Sequence, residues 1–123
     1  MKFYICEHCG NIITHVKKSG VPVMCCGEKM KELAAGINGV AEKHIPMVTV
    51  DNNKVIVEVG SVEHPMLDEH YIEWIVIETT KGNQGVKLSP NDKPKAEFQL
   101  TGETEFIAAY EYCNLHGLWK CSL

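Results

Sequence analysis

Two sets of residues in this chain have the types and spacing of metal ligands. Cys6-x-x-Cys9 and the adjacent pair Cys25-Cys26 carry four thiols on turns, enough soft donors to close a tetrahedron around zinc or iron. Ligand type does not choose between those two metals. A zinc ribbon repeats the C-x-x-C spacing, whereas the second pair here is adjacent, so a distorted site is expected. Four thiolates saturate a tetrahedron, which leaves His8 and His15 as exposed residues. Near the C-terminal end, Tyr112-Cys113-Asn114-Leu115-His116-Gly117 could present a thiolate and an imidazole from one loop. His44, His64 and His70 are candidate partners. Taken singly, each is an ordinary core or surface histidine. Converging with Cys113 and His116, they would supply four neutral nitrogens and one thiolate, a set that suits a redox metal better than a structural zinc.

The elements that must hold these residues are short. From Phe3 to Cys26 the pattern is one of brief strands joined by turns, with the cysteines on the turns and few large apolar residues. Such a module needs a staple, and metal binding by four thiolates provides one because forming the site is also folding. Ala34-Ala35-Gly36 reads as a linker, which divides the chain into 1–36 and 37–123. Beyond it, Met47–Val50, a turn at Asp51-Asn52-Asn53 and Lys54–Val59 predict a hairpin. Tyr71–Thr80, a turn over Lys81–Gly85, Val86–Leu88, Ala96–Leu100 and Phe106–Tyr112 continue the strand pattern. About seven strands with regular turn signals predict an antiparallel sandwich. The histidines and Cys113 fall at strand ends or in loops, where a sandwich gathers its functional residues. Prolines in His44-Ile45-Pro46 and His64-Pro65 would stiffen two of those positions. Cys121 stands outside both sets, as a packed or terminal free thiol.

Composition narrows the function classes. The 123-residue chain has a net charge of -4, and all twelve of its basic residues are lysines. Lacking arginine, it has no planar fork for phosphate or guanine, and its sign repels a polyanion, so no nucleic-acid partner is expected. No apolar run reaches the ~20 residues that cross a bilayer, and the first residues lack a signal-peptide core. A cytoplasmic protein with no membrane partner is therefore expected, and reduced thiols there favour ligation over disulfides.

Several motifs, in order, resemble those of a known family. They are the cysteine pairs, Glu42-Lys43-His44-Ile45-Pro46, Gly60-Ser61-Val62-Glu63-His64-Pro65-Met66, His70-Tyr71-Ile72-Glu73-Trp74 and Cys113-Asn114-Leu115-His116-Gly117-Leu118-Trp119. Over nearly the whole chain this resembles desulfoferrodoxin, the two-iron form of superoxide reductase. The resemblance implies an all-β protein, with a desulforedoxin-like module on Cys6, Cys9, Cys25 and Cys26 followed by an immunoglobulin-like antiparallel sandwich. It implies two irons per chain, the second held by His44, His64, His70 and His116 in a plane with Cys113 on the axis.

The activity implied is one-electron reduction of superoxide to hydrogen peroxide, with an external donor, rubredoxin by resemblance, restoring the ferrous state. A homodimer is also implied. An axial thiolate would push electron density toward the open position, as it does in thiolate-ligated haem. A bare Glu42-Lys43 dipeptide is ordinarily a solvated ion pair. In the family, the lysine is held to attract the anion and the glutamate to occupy the vacant position on ferric iron. Backbone N–H groups after Cys113, at Asn114 and Leu115, are placed to donate to its sulfur, and Trp74 and Trp119 could wall the site.

Two other readings use the same residues. A blue-copper electron-transfer protein also joins a sandwich to a terminal Cys/His loop, but it uses two histidines and a weak axial methionine; no methionine follows His116. A zinc-ribbon interaction module on an unrelated β-domain would be a colourless metal-binding protein with no catalysis.

Overall fold

The computed structural model describes residues 1–36, 44–60 and 63–122. Two compact units are present, Met1–Ala34 and Ala35–Leu123.

The first unit has five two-residue strands: β1 (Tyr4–Ile5), β2 (Ile12–Ile13), β3 (Met24–Cys25), β4 (Glu28–Lys29) and β5 (Lys31–Glu32). β1 pairs with β2 on one side and β5 on the other, while β3 and β4 form a separate hairpin. Only Phe3, Cys6 and Met30 are buried apolar residues here, whereas Val16, Val21 and Met24 are exposed. The ion pairs Lys31–Glu7 (2.6 Å) and Lys2–Glu32 (3.5 Å) lie on the surface and contribute little. Core and charge together are therefore thin for a unit this small. His8 is exposed, as its position inside the knuckle suggests, and pairs with Glu28 at 3.2 Å. His15 is half-buried rather than exposed, because its ring meets Tyr4 of β1 edge-on at 5.2 Å.

The second unit has seven strands: β6 (Pro46–Asp51), β7 (Lys54–Val59), β8 (Ile72–Thr79), β9 (Gly82–Lys87), β10 (Lys95–Gln99), β11 (Phe106–Cys113) and β12 (Gly117–Ser122). They form two antiparallel sheets, ordered β10-β7-β6 and β12-β11-β8-β9. No helix occurs among the described residues. Alternation puts Val55, Val57 and Val59 of β7 and Ala96 and Phe98 of β10 on one inner face. Ile72, Ile75 and Ile77 of β8 and Ala109 and Cys113 of β11 line the other. The fold is thus the expected all-β one, a sandwich of three strands on four in the immunoglobulin manner.

Two elements differ from the sequence reading. Lys81–Gly85 is not a turn: Thr79 pairs with Gly82, so the turn is Thr80-Lys81 alone and β9 runs through Gln84 and Gly85. β9 is the outermost strand of its sheet, where weak strand formers have only one neighbour to pair with. The segment after His116 is a full strand, β12, pairing with β11 from Cys113↔Gly117 to Ala108↔Ser122. Gly36, read as linker, forms a parallel bridge with Trp119 of β12.

Candidate metal centres

The sandwich brings the five candidate residues of the second unit to one end. His44 stands two residues before β6, His64 five after β7 and His70 two before β8, while Cys113 ends β11 and His116 occupies the β11–β12 turn. Antiparallel pairing puts the start of β6 beside the end of β7, and the starts of β8 and β12 beside the end of β11. Each sheet therefore delivers its ligand candidates to the same edge. One nitrogen or sulfur from each of His44, His64, His70, Cys113 and His116 lies within 4.8 Å of all the others.

Local devices aim the side chains. The β11–β12 hairpin turns through Asn114-Leu115-His116 and closes on Gly117 at φ 80°. That left-handed position is cheap for glycine and strained for other residues, so Gly117 fixes the short hairpin that carries both Cys113 and His116. Pairing slips between Tyr112↔Trp74 and Cys113↔Ile72, leaving Glu73 as an extra residue. This bulge lets both Ile72 and Ile75 face the interior and sets Ile72 opposite the buried Cys113. His70 is held by reciprocal backbone bonds with Leu67, 2.9 and 3.1 Å.

The histidine chemistry fits a metal. Two nitrogens ~2.1 Å from one ion at a right angle lie about 3.0 Å apart; His44 Nε2 and His116 Nδ1 are 3.0 Å apart. His64 Nδ1 is 2.7 Å from the Pro65 carbonyl oxygen. A carbonyl only accepts, so Nδ1 carries the proton and Nε2 keeps its lone pair for a ligand bond. His70 Nε2 is buried with no hydrogen-bond partner among the described residues, a cost that ligation would remove. His44, His64 and Cys113 are buried and His116 is exposed, so a small ion can reach the cluster. Burial pushes the Cys113 thiol up, while the N–H groups of Leu115 and His116 aimed at its sulfur pull it down. Leu115 thus has the role its position suggests. Asn114 does not: its N–H goes to the Tyr71 carbonyl, and His116 supplies the second donor.

The four cysteines of the first unit also converge, their sulfurs within 4.8 Å of one another. A tetrahedron with metal–sulfur bonds of ~2.3 Å has edges of about 3.8 Å, and Cys9 Sγ lies 3.7 Å from Cys25 Sγ. The adjacent pair is accommodated by Cys26 at φ 53°, in the left-handed region. The Cys9 N–H, with help from His8, lowers the Cys6 thiol to about 6. The neighbouring sulfurs of Cys6, Cys9 and Cys25 push Cys26 up to about 12. Thiolates that resist ionising together are relieved by a cation at their centre.

Glu42 and Lys43 lie outside the described residues. Of the two tryptophans, Trp119 walls the site, stacked on His44 with ring centroids 5.0 Å apart. Trp74 instead stacks on Tyr112 at 5.7 Å. Sequence reasoning passed over Glu111, which is fully buried two residues before Cys113 on β11. Burial raises its carboxyl to about 9, and neither oxygen has a hydrogen-bond partner among the described residues. The signal was strand parity: residues two apart share a face, so Glu111 must follow Cys113 and Ala109 inward.

The family model described as "Desulfoferrodoxin" matches residues 37–122. Desulfoferrodoxin of Nitratidesulfovibrio vulgaris is 42% identical over 120 residues, covering 97% of this chain and 94% of that one. A desulfoferrodoxin homolog of Archaeoglobus fulgidus is 41% identical over 121 residues, covering 98% and 95%. The crystal structure of the superoxide reductase from Treponema pallidum superposes with a TM-score of 0.82 at 37% identity, covering 98% of this chain and 96% of that one.

Proposed function

This chain belongs to the desulfoferrodoxin family, and from that premise we propose that His44, His64, His70, His116 and Cys113 hold the iron at which it reduces superoxide. The activity is that of a superoxide reductase, an oxidoreductase whose substrate takes one electron and two protons to become hydrogen peroxide. One observation carries the assignment to this site: five ligand atoms from both sheets meet within 4.8 Å. Iron bound there supplies the single electron.

The protein's own groups do the rest. Four imidazoles and one thiolate leave room for a sixth ligand on a six-coordinate ion. Leu115 and His116 N–H groups aimed at the Cys113 sulfur moderate how strongly that thiolate donates. Lys43 draws the anion toward the site, consistent with steering of a small charged substrate by local positive charge. Glu42 would serve as a carboxylate ligand to the iron once product has left.

The second metal of the reading is an iron held by Cys6, Cys9, Cys25 and Cys26, making two per chain. Residues 1–36 then form a desulforedoxin-like domain and 37–123 the reductase domain. Because each turnover takes one electron from the chain, an external donor must return it, and we take this to be a small redox protein of the rubredoxin kind. The reading also includes a cytoplasmic location and a homodimer. Exposed Val16, Val21 and Met24 on a unit with three buried apolar residues support the dimer, since a second copy would supply missing core.

The test is metal analysis followed by stopped-flow mixing of the ferrous protein with superoxide. Two irons per chain, thiolate-to-iron charge-transfer bands and peroxide formed without dioxygen support the reading. A colourless zinc protein, or an iron protein inert to superoxide, overturns it.

A further inference from the structure

Trp119 does more than fill space beside the cluster. It stands on β12 directly across from Glu111 of β11, and its indole meets residues from both ends of the second unit. One contact is the stack on His44, with rings inclined by 23° and centroids 5.0 Å apart. The other is a hydrogen bond in which Nε1–H donates to the His116 carbonyl oxygen at 3.2 Å. A single rigid ring thus touches two of the ligand residues, one by its face and one by its edge.

Gly36 fixes where that ring can lie. A Cβ at Gly36 would sit 2.6 Å from both Cε3 and Cζ3 of Trp119 and 3.0 Å from Cδ2. Near-equal distances to three consecutive ring atoms put the glycine over the face of the benzo ring rather than at its edge. The backbone cannot easily retreat. Gly36 N–H donates to the Leu118 carbonyl at 2.9 Å and its own carbonyl accepts from Lys120 N–H at 3.0 Å, so the bonds straddle Trp119 on β12. Any side chain at position 36 must push the indole, and the indole is stacked on His44.

We infer that Trp119 is a positioning residue for His44 and His116, and that Gly36 is the glycine this arrangement requires. The inference rests on the reading of the five-residue cluster as the iron site. A ring stacked on the His44 imidazole and bonded to the His116 backbone helps set the two residues whose nitrogens lie 3.0 Å apart, and so spares the ion part of the work of gathering them. Groups that orient ligands in this way are typically worth about 10–100-fold in metal affinity.

The experiment compares the iron-loaded full chain with Gly36→Ala, Trp119→Phe, Trp119→Leu and the Gly36→Ala/Trp119→Phe double variant. Iron release to a chelator is followed at the His/Cys centre by its own charge-transfer band, with the four-cysteine band as internal control and the midpoint potential as a second readout. Gly36→Ala and Trp119→Leu should release this iron about 10–100-fold faster and shift its potential, with the four-cysteine band unchanged. Trp119→Phe, which keeps a ring but no N–H, should fall between these and the parent. Phenylalanine lacks the benzo ring the new methyl would strike, so the double variant should release iron no faster than Trp119→Phe alone. Losses that multiply in the double variant overturn the linkage through Trp119. Parent-like release and potential in Trp119→Leu overturn the positioning role, even where Gly36→Ala fails to fold. A parent chain with no iron at the His/Cys cluster overturns both this inference and the functional reading beneath it.

Discussion

The Asn114 side-chain oxygen accepts the Tyr71 backbone N–H at 3.0 Å, while its amide nitrogen donates to the Glu69 carbonyl, also at 3.0 Å. The two bonds bracket His70, so the loop carrying one ligand candidate is tied to the hairpin carrying two others. Asn114→Ala removes both bonds, at a cost of about 1 kcal/mol each. The expected result is a lower unfolding midpoint together with faster iron release. Asn114→Asp, which keeps the acceptor, should retain part of the parent behaviour in the same measurements.

The roles proposed for Lys43 and Glu42 are separable by experiment. Lys43→Ala should slow the second-order reaction with superoxide and weaken its dependence on ionic strength, because a steering charge acts through a screened field. Pulse radiolysis at several salt concentrations reads both quantities. Glu42→Ala should still reduce superoxide but show an altered ferric spectrum; a parent-like spectrum would remove Glu42 from the iron.

Glu111 is buried without a hydrogen-bond partner among the described residues, and an unpartnered buried polar group costs about 1–3 kcal/mol. Glu111→Met keeps the length of the side chain and removes the polar atoms. Chemical denaturation at neutral pH should then give a more stable sandwich by a comparable amount, and a destabilised variant would mean that the carboxyl has a partner in solution.

Tyr110 offers a pH signature. Burial, with the Glu78 carboxylate beside it, raises its hydroxyl to about 12, and the hydroxyl donates to Glu78 Oε1 at 3.3 Å. The folded chain keeps this proton where an unfolded tyrosine, titrating near ~10, loses it. Native protein therefore binds more protons in that window, and stability falls as pH rises from about 10 toward about 12. Absorbance at the tyrosinate band should show a late-ionising tyrosine that Tyr110→Phe lacks, together with a flatter alkaline stability profile in the variant.

Metal removal should act unequally on the two units. Met1–Ala34 buries only Phe3, Cys6 and Met30, whereas the sandwich buries a continuous cluster from Val55 to Cys113. Cys6→Ser is expected to abolish amide protection in the first unit while β7, β8 and β11 keep theirs. Assaying the same variant with a donor protein separates a relay role for a metal at the four-cysteine site from a structural one.

Much of this architecture is legible in the residues themselves. The hairpin at Asp51-Asn52-Asn53 and the alternation read over Ala96–Leu100, found as a strand over Lys95–Gln99, follow from turn chemistry and period-two burial. The nine ligand candidates follow from donor type, and the structure brings them together in two clusters. What escaped is of another kind. Gln84 and Gly85 belong to an edge strand that propensity reads as a turn. The strand from Gly117 to Ser122 was not among those predicted, because its pairing with β11 is invisible from one strand alone. The half-burial of His15 depends on Tyr4, eleven positions earlier and across a sheet. Gly36 over the Trp119 ring is a contact across more than eighty residues, which no local pattern encodes.

His44 and His116 meet at 3.0 Å although 72 positions separate them in sequence. Closing a loop of that length costs chain entropy, and contacts so distant form late in folding. The nascent chain therefore has no ready-made trap for iron at this cluster, and metal capture becomes a report that the sandwich has shut. Loading would then act as a checkpoint on maturation: chains that misregister β12 or fail to dock Gly36 would stay empty, rather than hold a redox metal in an unshielded pocket.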